Sequence, residues 1–451
     1  MRFFLALLLL PLVACHSSRS SSFNESPAEQ AQLYSLDGSE RQVQFQAILK
    51  SSEKSLETLS PTRVRYEIKD LIPFLYGPLT TRQWGAPQKG EQIEILTQQA
   101  FVQDGVVMVP YIYRGTWLIG KKLLAAPFFL PVPFSTGLLD TPQWNQCTDS
   151  HEGHNGWDMF WYYWDPTRWG CDHREGVNFQ TVQIQMNPQE TPQTFLSFPE
   201  YRKMIRMEGQ QPVVSMSFAF GYVEDPEVPR PFTDRDAGMI EFQRFHQLLR
   251  SVLLPMGFQE NPVLQKAFDD LGEERIGTRF VGWKNGVLYR IHVLAAAGVD
   301  QMDLFAHSYA KEHESFFAWF GHSRVGSGFD AQRFHQIVSN NPEIFSLTSD
   351  YQLVYWAGCN SYSYYTAPFF EMKASLQPDV DPRGSKSLDI ISNGLPSLFA
   401  FNTDNAEILF RALFNPESPT SYQALVNQLE AKAHSWGYEV LVNVLGDEDN
   451  E

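Results

Sequence analysis

Hydrophobic positions change their period once along this 451-residue chain, near Pro192. Before it the period is mostly two. Val64-Arg65-Tyr66-Glu67-Ile68 and Gln92-Ile93-Glu94-Ile95 alternate apolar with polar residues, as half-buried strands do. Val106 to Ile119 is rich in β-branched and aromatic residues, with Pro110 and Gly115 favouring an edge or a bend. One short helix is expected over Ser51 to Leu59. After Pro192, Val214, Met216, Phe218 and Phe220 alternate in one strand, and Met239, Phe242, Phe245, Leu249 and Val252 then follow helical spacing. Thr233, Asp234 or Asp236 can cap that helix and Pro255 stops it. Asn285-Gly286 between two apolar runs is a strong two-residue hairpin signal. Met302, Phe305, Ala306 and Tyr309 form a further helical stripe.

Two later runs, Phe316 to Phe320 and Tyr351 to Ala357, are short, aromatic and uninterrupted, as strands buried on both faces of a parallel sheet should be. The helix-capable segment from Asp330 to Ser339 lies between them, so the unit reads as β-α-β. A helix around Ala367 to Ala374, a strand over Ser387 to Ile391, and helices from Pro396 to Phe414 and Thr420 to His434 complete the pattern. Strands alternating with helices predict an α/β helix-sheet-helix sandwich with a mostly parallel sheet, preceded by a β-rich domain. The first run ends in Gly321-His322-Ser323 and the second in Gly358-Cys359-Asn360-Ser361. Parallel neighbours carry both turns to the carboxyl edge of the sheet, where open α/β sheets bind ligands. A thiol beside an imidazole is what nucleophilic catalysis by cysteine requires.

The chain start is expected to be a bacterial export signal. Arg2 is the positive start, Phe3 to Leu10 the apolar core, and Leu12-Val13-Ala14-Cys15 the processing site. That last sequence looks like a lipobox, which implies lipid on Cys15 and a lipid-anchored place in the cell envelope, on the outer membrane or the periplasmic face. An ordinary secretory peptide is the alternative. Four segments follow from this reading: 1–15 signal, 16–40 flexible linker, 41–192 β-rich accessory domain, 193–451 α/β domain. The membrane is contacted through the lipid alone, because no later segment reaches the ~20 apolar residues of a membrane-spanning helix.

A formal charge of -17 argues against a nucleic-acid partner, since no basic block exists to release counterions from phosphate. There are four cysteines. With Cys15 assigned to lipid and the body exported, Cys147 and Cys171 can pair as a disulfide, which leaves Cys359 as a lone thiol. Zinc held by Cys147, His151, His154, Cys171 and His173 is the competing use of that region, though the spacing matches no familiar zinc motif. No metal or other cofactor is assigned. The aromatic stretch from Trp157 to Pro166 is either packed core or a surface on which a glycan or peptide stacks.

The order strand-Gly-His, then strand-Ala-Gly-Cys-Asn-Ser, resembles the caspase, gingipain, legumain and separase group of cysteine peptidases. The similarity covers roughly Pro212 to His434. It implies a peptidase hydrolysing peptide or protein substrates, with Cys359 as nucleophile and His322 as general acid or base. It also implies an oxyanion hole from the backbone N–H groups of Cys359 and of a residue near Ser323. Many relatives in that group have glycine directly after the histidine; here it is Ser323, with glycines only at Gly326 and Gly328. Asp303, Glu312, Glu314 and Asp389 are candidates to orient His322 or to read a basic substrate residue. His246, His307, His313 and His335 fall on expected helices and have structural roles. The competing expectation is a catalytically inactive envelope scaffold whose aromatic loop contacts a partner.

Overall fold

A computed structural model of the chain describes residues 35–88, 90–140, 144–148, 163–188, 197–221, 236–261, 275–296, 300–323 and 330–447. Two sheets organise them. The first contains β1 (Gly38–Ser51), β2 (Gly85–Pro87), β3 (Gln92–Ile95), β4 (Phe101–Gln103), β5 (Val106–Gly120), β6 (Phe128–Pro133) and β7 (Phe179–Pro188). Its described pairings are all antiparallel, and β1 lies along β5 from Gly38↔Gly120 to Ser51↔Val107. The alternate residues Val43, Phe45, Ala47 and Leu49 are buried under helix α1 (Pro61–Leu71). Helix α2 (Tyr76–Thr81) follows and leads into β2.

Helix α1 corrects the strand expected over Val64 to Ile68. In five residues the spacing fits both periods, but Tyr66 is exposed while Val64, Ile68 and Leu71 are buried, which is the i, i+4, i+7 stripe of a helix. The start signals decide it: Ser60 accepts a hydrogen bond from the Arg63 amide, and Pro61 occupies the first turn. The helix expected over Ser51 to Leu59 does not form, because β1 runs through Ser51. The expected linker also ends earlier than residue 40. Ser35 donates to the buried Glu430 carboxylate at 2.5 Å, and the Leu36 amide does the same, so the chain is docked before β1 begins.

The second sheet has the order β10-β11-β12-β9-β13-β14-β15-β16, with β8 on β9. The strands are β8 (Arg206–Glu208), β9 (Gln211–Gly221), β10 (Gln259–Asn261), β11 (Arg275–Lys284), β12 (Val287–Ala296), β13 (Phe316–Phe320), β14 (Gln352–Trp356), β15 (Leu388–Asn393) and β16 (Val442–Leu445). The five central strands β12, β9, β13, β14 and β15 run parallel, and the flanking β8, β10, β11 and β16 pair antiparallel. The molecule is therefore a mixed α/β protein with one antiparallel and one mixed sheet. The hairpin at Asn285-Gly286 forms with both residues at positive φ, as a two-residue turn needs.

Helices cover both faces of this sheet. Alternate strand residues Met216, Phe218, Phe220, Phe316, Phe320 and Tyr355 face α3 (Ala237–Leu253), α7 (Asn402–Leu413) and α8 (Tyr422–Ser435). Ala219, Phe317, Trp319, Val354 and Trp356 face α4 (Asp300–Ala310), α5 (Ala331–Asn340) and α6 (Ser361–Leu376). Among the three expected caps of α3, Asp236 is the one whose side chain accepts from the Met239 amide. Taken in chain order, the parallel strands are arranged 2-1-3-4-5, so the winding reverses between β9 and β13. Ligands of open α/β sheets bind outside the carboxyl ends of the strands at such a switch point. Among the described residues, no helix is long and apolar enough to cross a membrane.

Candidate active site

His322 and Cys359 stand at the carboxyl rim of neighbouring parallel strands. Trp319 of β13 and Trp356 of β14 are a registered pair, and each site residue lies three positions beyond its tryptophan. The turns touch. A Cβ built on Gly358 would lie 3.2 Å from the Gly321 carbonyl, 3.2 Å from the Ser323 amide nitrogen and 3.4 Å from the Ser323 Cβ. Ser323 is buried, packed against the place where residue 358 has no side chain. The serine that departs from the expected glycine is thus accommodated by Gly358. Cys359 and His322 are both half-buried.

Each turn is fixed from behind. Trp319 is fully buried, its Nε1 donates to the His322 carbonyl at 3.1 Å, and its ring fills the space that Cβ atoms on Gly221 and Gly321 would need. The Cys359 turn enters α6 through Asn360, a fully buried residue held at φ 49°. Its side-chain amide donates to the Gly394 carbonyl at 3.1 Å and to the Thr80 hydroxyl at 3.3 Å. Ser361 donates to the Trp356 carbonyl, and Asn393 donates to Ser361 and to the Ala357 carbonyl. A non-glycine residue at positive φ persists only where its surroundings hold it there. Such strain gathers at functional sites.

A third loop, after β15, completes the rim. The Cys359 thiol points to the Ser397 carbonyl at 3.8 Å, and the Phe399 ring stands edge-on to the His322 imidazole with centroids 5.2 Å apart. Cys359 precedes the first residue of α6 by two positions, and the positive end of a helix dipole favours a thiolate over a thiol.

Three of the four expected acidic partners lie elsewhere. Glu314 precedes β13 and Asp389 opens β15, so both occupy the amino side of strands whose carboxyl ends carry the site. Glu314 accepts from Ser217 at 3.0 Å and pairs with the buried His292 at 2.6 Å. Asp389 accepts from the Tyr351 and Tyr422 hydroxyls. Glu312 lines an amino-side cavity with Arg206 and Asp350, and the side chain of Asp303 lies outside the described residues. Strand direction removes Glu312, Glu314 and Asp389 from the site. His313 is a turn residue at φ 50°, not a helical one, while His246, His307 and His335 are on helices. Sequence reasoning missed Trp319, Asn360 and Thr80, whose roles depend on contacts distant in the chain.

Cys147 and Cys171 form the expected disulfide. It lies in a small core with Phe74, Leu138, Trp164 and Phe179. The bridge takes both sulfurs out of metal binding. His173 accepts from the Trp164 indole at 3.1 Å, and burial holds its imidazole below the ordinary value. Trp164 is core, which answers the question of the aromatic stretch at that one position. Cys15, His151, His154, Gly326, Gly328 and most of the aromatic stretch lie outside the described residues.

Compared with protein-family models, curated proteins and solved structures, the chain matches none.

Proposed function

We propose that this chain is a cysteine endopeptidase with a caspase-like α/β domain, hydrolysing peptide bonds with Cys359 and His322. The observation that carries the reading is the placement of thiol and imidazole in touching turns, three residues past a registered strand pair and beside the switch point. The 2-1-3-4-5 parallel order is shared by doubly wound α/β sheets in general, so it agrees with a caspase-like domain without selecting one.

The chemistry follows from what each group must do. An ordinary thiol is only a few per cent thiolate at neutral pH, so the imidazole and the start of α6 raise that fraction. The thiolate sulfur bonds to the substrate carbonyl carbon and the π electrons move onto oxygen. Backbone N–H groups near Ser323 and Cys359 would stabilise that oxyanion, each such donor contributing about 3 kcal/mol. Collapse breaks the C–N bond, and the imidazolium of His322 gives its proton to the leaving amine. Water then attacks the thioester while His322 takes its proton, releasing the carboxylic acid and restoring the thiol.

Lipid on Cys15 and tethering at the bacterial envelope belong to the same proposal and rest on the Leu12-Val13-Ala14-Cys15 sequence. The inactive-scaffold reading has one observation in its favour, Trp169, which is 97% exposed next to the disulfide. A peptide-library digest decides between them. The full chain should cleave and Cys359→Ala should not, and iodoacetamide should label Cys359 faster at neutral pH than it labels a free thiol. Equal digestion by both proteins, or labelling at the free-thiol rate, ends the peptidase reading.

A further inference from the structure

Five positions between Asn360 and Thr366, just past the nucleophile, touch the first sheet, the helix α2 or Gln88 after β2. Asn360 donates to Thr80 at the end of α2. Tyr362 donates to the buried Glu40 of β1 at 2.6 Å and packs with Ala86 and Leu118 of β2 and β5. Ser363 donates to the Pro87 carbonyl, Tyr364 stacks on Tyr76 with centroids 5.7 Å apart, and Thr366 accepts from Gln88 at 3.4 Å. The turn after β15 joins the same junction: a Cβ on Gly394 would meet the Leu118 side chain at 2.8 Å. All of these partners come from residues 40–118, far from the site in sequence.

We infer that the first sheet is a working part of the catalytic centre, and that Thr80 is a positioning residue for Cys359. The physical ground is the composition of α6. Its first six residues, Ser361-Tyr362-Ser363-Tyr364-Tyr365-Thr366, are mediocre helix formers, and Pro368 follows. The Tyr362 and Ser363 hydroxyls donate across the junction, Thr366 accepts from Gln88 and the Tyr364 ring stacks there, so contacts with residues 40–118 help to hold the helix. Thr80 fixes the Asn360 side-chain amide, and Asn360 at φ 49° sets the angle between Cys359 and the start of α6. Separating the α/β part from residues 35–188 would remove Thr80 and leave the turn held by its bonds to Gly394, Trp356 and Asn393. The inference rests on the dyad reading above and adds a residue to it.

The experiment measures iodoacetamide alkylation of Cys359 against pH in the full chain, in Thr80→Val and in Thr80→Ser. Valine keeps the volume and removes the acceptor, whereas serine keeps it. Loss of one buried hydrogen bond to the turn predicts a fall of about threefold to tenfold in the rate at neutral pH. The midpoint of the pH profile should move up toward that of an ordinary thiol, and serine should restore both. If Thr80→Val fails to fold, Gln88→Ala, which trims a half-buried side chain at the same junction, carries the same expectation. A fast wild type with an unchanged rate and midpoint in the variant overturns the role of Thr80 alone. A wild type no faster than a free thiol overturns the dyad reading and this inference with it.

Discussion

Gly358→Ala tests the contact on which the site depends. The new methyl would sit 3.2 Å from two backbone atoms of the neighbouring turn, the Gly321 oxygen and the Ser323 nitrogen, closer than a Cβ normally approaches. Those atoms cannot swing aside as a flexible side chain would, so the turns must part by a few tenths of an ångström. Overpacking of this kind costs about 1–3 kcal/mol. Gly358 is not among the residues at positive φ, so alanine suits its backbone and recovers about 0.4–1 kcal/mol through the unfolded chain. A net destabilisation of about 1–2 kcal/mol is expected in urea unfolding. Reactivity should suffer more than stability suggests, because catalytic groups must be held within about 0.5 Å and an error near 1 Å can cost about a hundredfold. The alkylation rate of Cys359 should therefore fall about threefold to tenfold. Gly120→Ala is the control, since a Cβ there meets nothing closer than 3.5 Å. Wild-type stability and wild-type alkylation in Gly358→Ala would show that the turns do not constrain each other, and the argument for a built site would fail.

Three further outcomes follow from contacts elsewhere. Trp319→Phe removes the donor to the His322 carbonyl and leaves a void beside Gly221 and Gly321, so it should lower stability by about 1–3 kcal/mol and slow alkylation; stability loss with an unchanged alkylation rate would remove Trp319 from the positioning of His322. Lys373 is buried, donates to the Thr348 and Asp350 carbonyls, and is pushed down by burial to about 7. The unfolded chain then binds more protons than the folded one between about pH 7 and 10, so Lys373 should make stability rise by up to about 1.4 kcal/mol per unit as pH increases through that window; urea midpoints of Lys373→Met should show a flatter rise, and parallel curves for the two proteins would contradict it. Cys147 and Cys171 are 24 residues apart, and a loop of that size stabilises by about 3.5 kcal/mol in the chain-entropy account; the double serine variant should lose stability of that order by urea unfolding, and no loss would mean that the local core of Trp164 and Phe74 needs no clamp.

What the residue pattern revealed depended on how many constraints each segment satisfied. The runs ending at His322 and Cys359 were legible because a strand buried on both faces leaves no polar position to confuse the period. Val64 to Ile68 was misread because a five-residue window fits two periods, and Ser60-Pro61 was the stronger signal. Helix α6 begins six residues before its expected start, since the Ser and Tyr positions that open it are weak helix formers braced by contacts distant in sequence, with β1 and β2 among them. Strand β16 escaped notice because four residues at an edge carry little pattern. The rim loops were legible as glycine-bearing turns, yet the reason for each glycine was not. That Gly358 makes room for Ser323, and Gly221 and Gly321 for Trp319, is a property of three strands meeting.

The two rims of the second sheet divide their labour. The amino side gathers buried polar and ionisable groups that bond to one another or to carbonyls: Ser217 with His292 and Glu314, Tyr351 and Tyr422 on Asp389, and Lys373 on the Thr348 and Asp350 carbonyls. Burying such groups is tolerable only when each is paired, and removing one partner of such a set is costly. They are anchors for the loops that precede the strands. The carboxyl side holds the His322 and Cys359 turns themselves with neutral donors, carbonyl acceptors and aromatic edges from Trp319, Asn360, Asn393 and Phe399, while the carboxylates of Glu40 and Glu241 brace α6 and α7 further along. Neutral supports fix geometry without adding a charge that would pull the proton balance of a neighbouring thiol and imidazole. In the proposed reading, the imidazole and the helix start govern Cys359, and the dyad, not an acid from the far rim, is the unit of the hydrolysis.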